Sequence, residues 1–169
     1  MGGCYTTPPV TTYVDPVNGL RTDLLGENLL DTKEPAREMV WLNASRMFKN
    51  RTDFSYYLEV HYMANVETGP LNVYPGQTLT IIADGEELKF GGIGSTNARK
   101  EKNSVISEDA VYEAKESDMQ KIARAKKVIV KIAGKNSLVV REFSPANSER
   151  FQKFLEQTTQ PPPQQFPTH

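Results

Sequence analysis

A single cysteine, Cys4, occurs in the chain, so no internal disulfide forms and the fold must stand on packing alone. That leaves the redox compartment open, because a disulfide-free domain folds in either cytosol or periplasm. Histidine is nearly as scarce: there are two, His61 and the terminal His169, too few for a metal site built on imidazole. No metal and no cofactor is expected. Neither sign of charge dominates, with 20 basic against 21 acidic residues, which excludes a global electrostatic pull toward nucleic acid. No nucleic-acid partner is expected. No apolar run approaches the roughly 18 residues that span a bilayer as a helix, and no internal repeat is evident. What is present, across 169 residues, fits one domain with flexible ends, large enough to bury a substantial core.

Composition divides the chain into three parts. Residues 1–16 hold four threonines and three prolines with little that packs, the pattern of an extended tether. Residues 17–158 carry the periodic segments of a single globular domain, although 17–35 alternate short apolar clusters with turn residues and read as irregular, with room for one short helix or strand. Residues 159–169 are rich in Pro and Gln, the composition of a disordered tail.

Strand signals dominate the middle. Met39 to Phe48 and Tyr56 to Ala64 read as two strands joined by a polar link, with Tyr56, Leu58, Val60 and Tyr62 sharing one face. The alternation puts Trp41, Tyr56 and Tyr62 in the core. Asn72 to Tyr74 reads as a short strand. Thr78–Ala83 and Glu87–Phe90 flank Asp84-Gly85, which supplies the positive φ angles of a tight hairpin turn. Residues 91–103 read as a Gly- and Ser-rich loop, and Val105–Ala114 as a further strand. Ser117-Asp-Met-Gln120 has the form of a capping box and predicts a helix to about Lys126, with Met119, Ile122 and Ala123 as its apolar stripe. A second hairpin spans Val128–Ala133 and Leu138–Phe143. Ser144-Pro145 then opens a last helix, whose Phe151, Phe154 and Leu155 recur at core-facing spacing. Hairpins without βαβ units predict an α+β domain: an antiparallel sheet or sandwich of about 6–8 strands with two short helices packed on it.

The N-terminus carries the clearest functional signal. Gly2-Gly3-Cys4 followed by the Thr/Pro-rich run to Thr12 resembles the mature start of a bacterial lipoprotein. In that family small residues precede a lipid-modified cysteine and a flexible tether follows. The resemblance covers about a dozen residues and lacks the basic and apolar segments of a signal peptide. It implies lipid on Cys4, a membrane-anchored protein on the periplasmic side of the bacterial envelope, and a possible envelope protein as partner. Met1-Gly2-Gly3-Cys4-Tyr5-Thr6 also fits the short pattern for myristoylation at Gly2. With palmitate on Cys4, that alternative gives a dual-acylated adaptor at the cytoplasmic membrane surface. An ordinary unprocessed terminus is the bland reading.

Chemistry within the domain is sparse. Glu59 and His61 are two residues apart and should project from one strand face, the minimal constellation for a small hydrolase, since a carboxylate can orient an imidazole as a base. A solvated polar cluster is the favoured reading, because no HExxH or GxSxG pattern supports catalysis. The Gly91–Thr96 loop lacks a phosphate-cradle motif, and Ser95 lacks the context of a nucleophile. Asp84 and the Glu86-Glu87 pair read as turn residues. Residues 115–135 hold seven basic and two acidic residues. A basic patch of Arg99, Lys100, Lys102, Lys121, Arg124 and Lys127 would suit an anionic partner, set against the commoner case of a solvated face. The resulting expectation is a non-catalytic binding or interaction module, with a hydrolase using Glu59 and His61 as the alternative.

Overall fold

The computed structural model describes residues 10–32, 37–50, 52–95 and 99–158. Cys4, Gly2 and the 159–169 tail lie outside the described residues, as does the side chain of Arg99. Ten strands and two helices follow in the order β1 (Thr11–Val14), β2 (Arg21–Leu25), β3 (Glu38–Phe48), β4 (Phe54–Asn65), β5 (Gly76–Ala83), β6 (Glu86–Gly92), β7 (Arg99–Lys102), β8 (Val105–Ala114), α1 (Glu116–Arg124), β9 (Val128–Ala133), β10 (Leu138–Glu142) and α2 (Pro145–Thr158). The strands form one antiparallel sheet ordered β1-β2-β3-β4-β8-β6-β5-β9-β10, with β7 paired to β8 beside this path.

Ten strands exceed the 6–8 expected, and the additions have identifiable sources. β1 lies in the stretch read as tether and β2 in the stretch read as irregular; each is short and is a strand through pairing with its neighbour, Thr12 with Asp23 and Leu24 with Ser45. β7 arises within the expected 91–103 loop. Its turn into β8 uses Asn103 and Ser104, both at positive φ, so a tight hairpin forms there without glycine. The expected strand at Asn72–Tyr74 is reduced to a single bridge between Val73 and Gly134.

Alternation buries one face of the sheet. Val40, Leu42 and Ala44 of β3 lie beside Tyr56, Leu58, Val60 and Tyr62 of β4. Ala110 and Tyr112 of β8, Leu79 and Ile81 of β5, and Val128, Val130 and Ile132 of β9 complete a continuous core. Met119, Ile122 and Ala123 of α1 and Phe151, Phe154 and Leu155 of α2 join the same cluster, at roughly 1.5–3 kcal/mol for each large apolar side chain removed from water. The sheet stays open, yet its ends are drawn together. Glu142 of β10 bridges to Asp31, and Arg141 Nη2 lies 2.7 Å from Glu38 Oε1 on β3.

The two helix starts differ. At α2, the Ser144 amide and hydroxyl both donate to Asn147 Oδ1 at 2.9 Å, and the Asn147 amide returns to Ser144 Oγ at 3.2 Å. At α1 the capping position is Lys115, with no side-chain cap, and Ser117 falls inside the helix. The expected capping box is therefore not used. Entry from β8 fixes the start two residues earlier, and the helix ends at Arg124.

Candidate functional site

The outer face of β3, β4 and β8 carries His61, the sole histidine among the described residues. Pairing places Trp41, His61 and Asp109 in a single row across the three strands, and alternation points this row away from the core. His61 Nδ1 meets Asp109 Oδ1 at 2.5 Å. The imidazole lies 5.0 Å from the Trp41 ring, tilted at 51°. The side chains of His61 and Asp109 are 30% and 49% exposed, so water reaches both and a solvated pair of this kind contributes little stability. Met39, half-exposed, lies two residues from Trp41 on the same face of β3, opposite Met63.

Two sequence expectations change here. Trp41 was expected in the core with Tyr56 and Tyr62; the tyrosines are buried, but Trp41 is half-buried on the opposite face. Trp41 pairs with His61 on the outer face, whereas Tyr56 and Tyr62 pair with Arg46 and Val40, the β3 positions of core-facing parity. Glu59 is also not the partner of His61. Its Oε1 accepts from Ser45 Oγ at 2.7 Å, while Asp109 arrives from a strand 48 residues away in sequence. The sequence offered no signal for Asp109 beyond its place in an alternating strand, because the β4–β8 register is a tertiary fact. Ser45 lies four residues along β3 from Trp41, roughly 13 Å, so it stands apart from the His61–Asp109 pair.

The basic residues divide into two groups. Lys100 pairs opposite Ser107 and Lys102 opposite Val105, at the start of β8. Lys121, Arg124 and Lys127 follow its far end, and Ser107 to Ala114 alone spans roughly 23 Å. Within the second group Lys121 Nζ is 2.5 Å from Glu86 Oε1, and that hydrogen bond holds the ammonium above its ordinary pKa. The acidic hairpin thus neutralises part of the positive surface. Asp84, at the same turn, accepts from the amides of Lys126 and Lys127 at 3.0 and 2.9 Å and pins the α1–β9 connection.

Two surface depressions lie away from His61. One of about 640 Å³ is lined by residues 52–56 of the β3–β4 link and β4 and residues 113–116 leading into α1. The other, about 330 Å³, has Glu38, Tyr62 and Thr68 on one wall and Asn136 to Val139 on the other. Tyr62 donates to the Gly69 carbonyl at 3.0 Å. Burial pushes its phenol up to about 12, with Glu38 and Glu108 adding to the shift. Among the described residues no group of three or more His, Cys, Asp or Glu side chains could hold a metal ion, and no helix is long and apolar enough to cross a membrane. No protein-family model, curated protein or solved structure matches the chain.

Proposed function

We propose that this chain is a non-catalytic binding or interaction module, held at a bacterial envelope membrane by lipid on Cys4. The observation that carries the non-catalytic part is the placement of His61. It is the sole histidine among the described residues and lies part-exposed on the outer face of the sheet, paired with Asp109 and outside the two depressions described above. An imidazole acting as a base needs a substrate held against it in a site that excludes water. Glu59, the other half of the hydrolase constellation, is engaged by Ser45 instead.

The anchoring part rests on the Gly-Gly-Cys-Thr/Pro sequence. Seven residues lead from Cys4 to the start of β1 at Thr11, a reach of at most roughly 25 Å when fully extended. Such an anchor keeps the domain close to the bilayer, where the half-buried Trp41 between Met39 and His61 offers an aromatic contact of the type enriched in binding hot spots.

The test is to express the chain with its natural upstream coding sequence and measure the intact mass of the membrane-fraction protein. A diacylglyceryl adduct on Cys4, with Cys4→Ser releasing the protein to the soluble fraction, is the expected result. Unmodified soluble protein with Cys4 intact overturns the anchor, and a myristoyl adduct on Gly2 moves the protein to the cytoplasmic surface. Hydrolysis of an ester or amide substrate that His61→Ala abolishes overturns the non-catalytic part.

A further inference from the structure

At the β1–β2–β3 end of the sheet, two arginines converge on one carboxylate. Asp23 is fully buried. Its Oδ1 accepts from Arg21 Nε at 2.7 Å and from the Thr12 hydroxyl at 2.8 Å. Arg46, only 4% exposed, reaches the second oxygen through Nη2 at 3.5 Å, the outer limit of a hydrogen bond. Its Nε has no acceptor among the described residues, and neither does Nη1 of Arg21. The cluster therefore holds two guanidinium charges against one carboxylate and leaves buried donors unused.

Among the described residues no second carboxylate pairs with either guanidinium. Phe48 lies 4.6 Å and Phe54 4.7 Å from the Arg46 guanidinium carbon, and Phe48 is 5.3 Å from that of Arg21. Aromatic faces attract a cation, but they leave the N–H groups without lone pairs to bind. A buried charge lacking a full counter-charge is costly, and unused buried donors in a native protein call for an explanation.

We propose that Arg21 and Arg46 form a binding site for a compact oxyanion, a phosphate or carboxylate group, which completes the Asp23 cluster. One monoanion brings two positive and two negative charges to zero. Guanidinium forks match planar or tetrahedral oxyanions with paired N–H donors, and Arg21, whose side chain is 19% exposed, provides the approach. Asp23 then serves to align the two arginines rather than to neutralise them. The site is independent of lipid on Cys4.

The experiment follows thermal unfolding of the full chain in sodium phosphate, in sodium acetate and in sodium chloride at matched ionic strength. The expected result is a saturable rise of several degrees with phosphate or acetate over chloride, as ligand binding to the native state requires; the effective salt identifies the oxyanion. Arg46→Met and Arg21→Gln should each remove that rise. Phosphate also stabilises proteins generally by exclusion from their surface, an effect that does not saturate and survives both substitutions. A rise of that kind, or no rise above chloride, overturns the proposal. So does Arg46→Met unfolding at a higher temperature than a parent indifferent to both anions, the outcome for a cluster with only a packing role. If Arg46→Met does not fold, Arg21→Gln, at the partly exposed end, decides between these outcomes alone.

Discussion

The Ser95 hydroxyl donates to the Glu108 carboxylate at 2.7 Å, and both side chains are buried. The same carboxylate accepts the amides of Leu71 at 2.5 Å and Asn72 at 2.9 Å, and Ser95 Oγ accepts the amide of Val73 at 3.1 Å. A serine in a glycine-rich loop, which invites a nucleophile reading, is thus a clamp holding residues 71–73 against β8. Glu108→Ala strips the buried Leu71 amide of its acceptor and should cost about 3 kcal/mol, with Ser95→Ala costing about 1–2 kcal/mol. Urea unfolding midpoints measure both. A Glu108→Ala protein as stable as the parent contradicts the clamp.

Helix capping gives a paired comparison. Ser144→Ala removes the reciprocal bonds with Asn147 and should destabilise the protein by about 1 kcal/mol. Ser117→Ala, at an exposed position inside α1, should stay within about 0.5 kcal/mol of the parent. Equal losses in denaturant titrations would return α1 to the Ser117 start.

Alkaline pH should weaken the fold through Tyr62. Its phenol is held up to about 12, against about 10 in the unfolded chain, so the unfolded state releases its proton first. The contribution of the protonated phenol is fully present below about pH 10 and declines between about 10 and 12. Tyr62→Phe should lose about 1 kcal/mol at neutral pH with the Gly69 hydrogen bond, and should show a shallower decline than the parent across the alkaline window. Guanidinium unfolding at pH 8, 10 and 11 separates the two effects, and parallel declines would remove Tyr62 as their source.

Trp41 is the only tryptophan and lies against His61, so its fluorescence reports this face directly. His61→Ala should change the emission intensity at neutral pH while leaving stability within about 0.5 kcal/mol, because the His61–Asp109 pair is solvated. An unchanged spectrum would place the two rings apart in solution.

Much of the scaffold was legible from local chemistry. The Asp84-Gly85 hairpin forms where the two residues at positive φ demand it. The Tyr56-Leu58-Val60-Tyr62 face is buried as its alternation requires, and so are the apolar stripes of both helices. Strands with weak patterns were not legible. β1 and β2 gain their identity from β3, and β7 is a run of four charged residues that extends only because β8 is beside it. Gly134 shows the same limit. The sequence marks it as a turn residue, yet its reason is packing: a Cβ there would clash with the Leu71 carbonyl oxygen.

The sequence by itself determined the α+β class, the two main hairpins and most of the core faces, because these follow from period, turn residues and composition over short stretches of chain. Tertiary structure alone decided which charges meet. Asp109 rather than Glu59 faces His61, Glu86 takes Lys121, and Asp23 gathers Arg21 with Arg46. Strand order and register set each of these partnerships. A shift of one residue in pairing would send every side chain of a strand to the other face, and the register depends on long-range packing that no local pattern records.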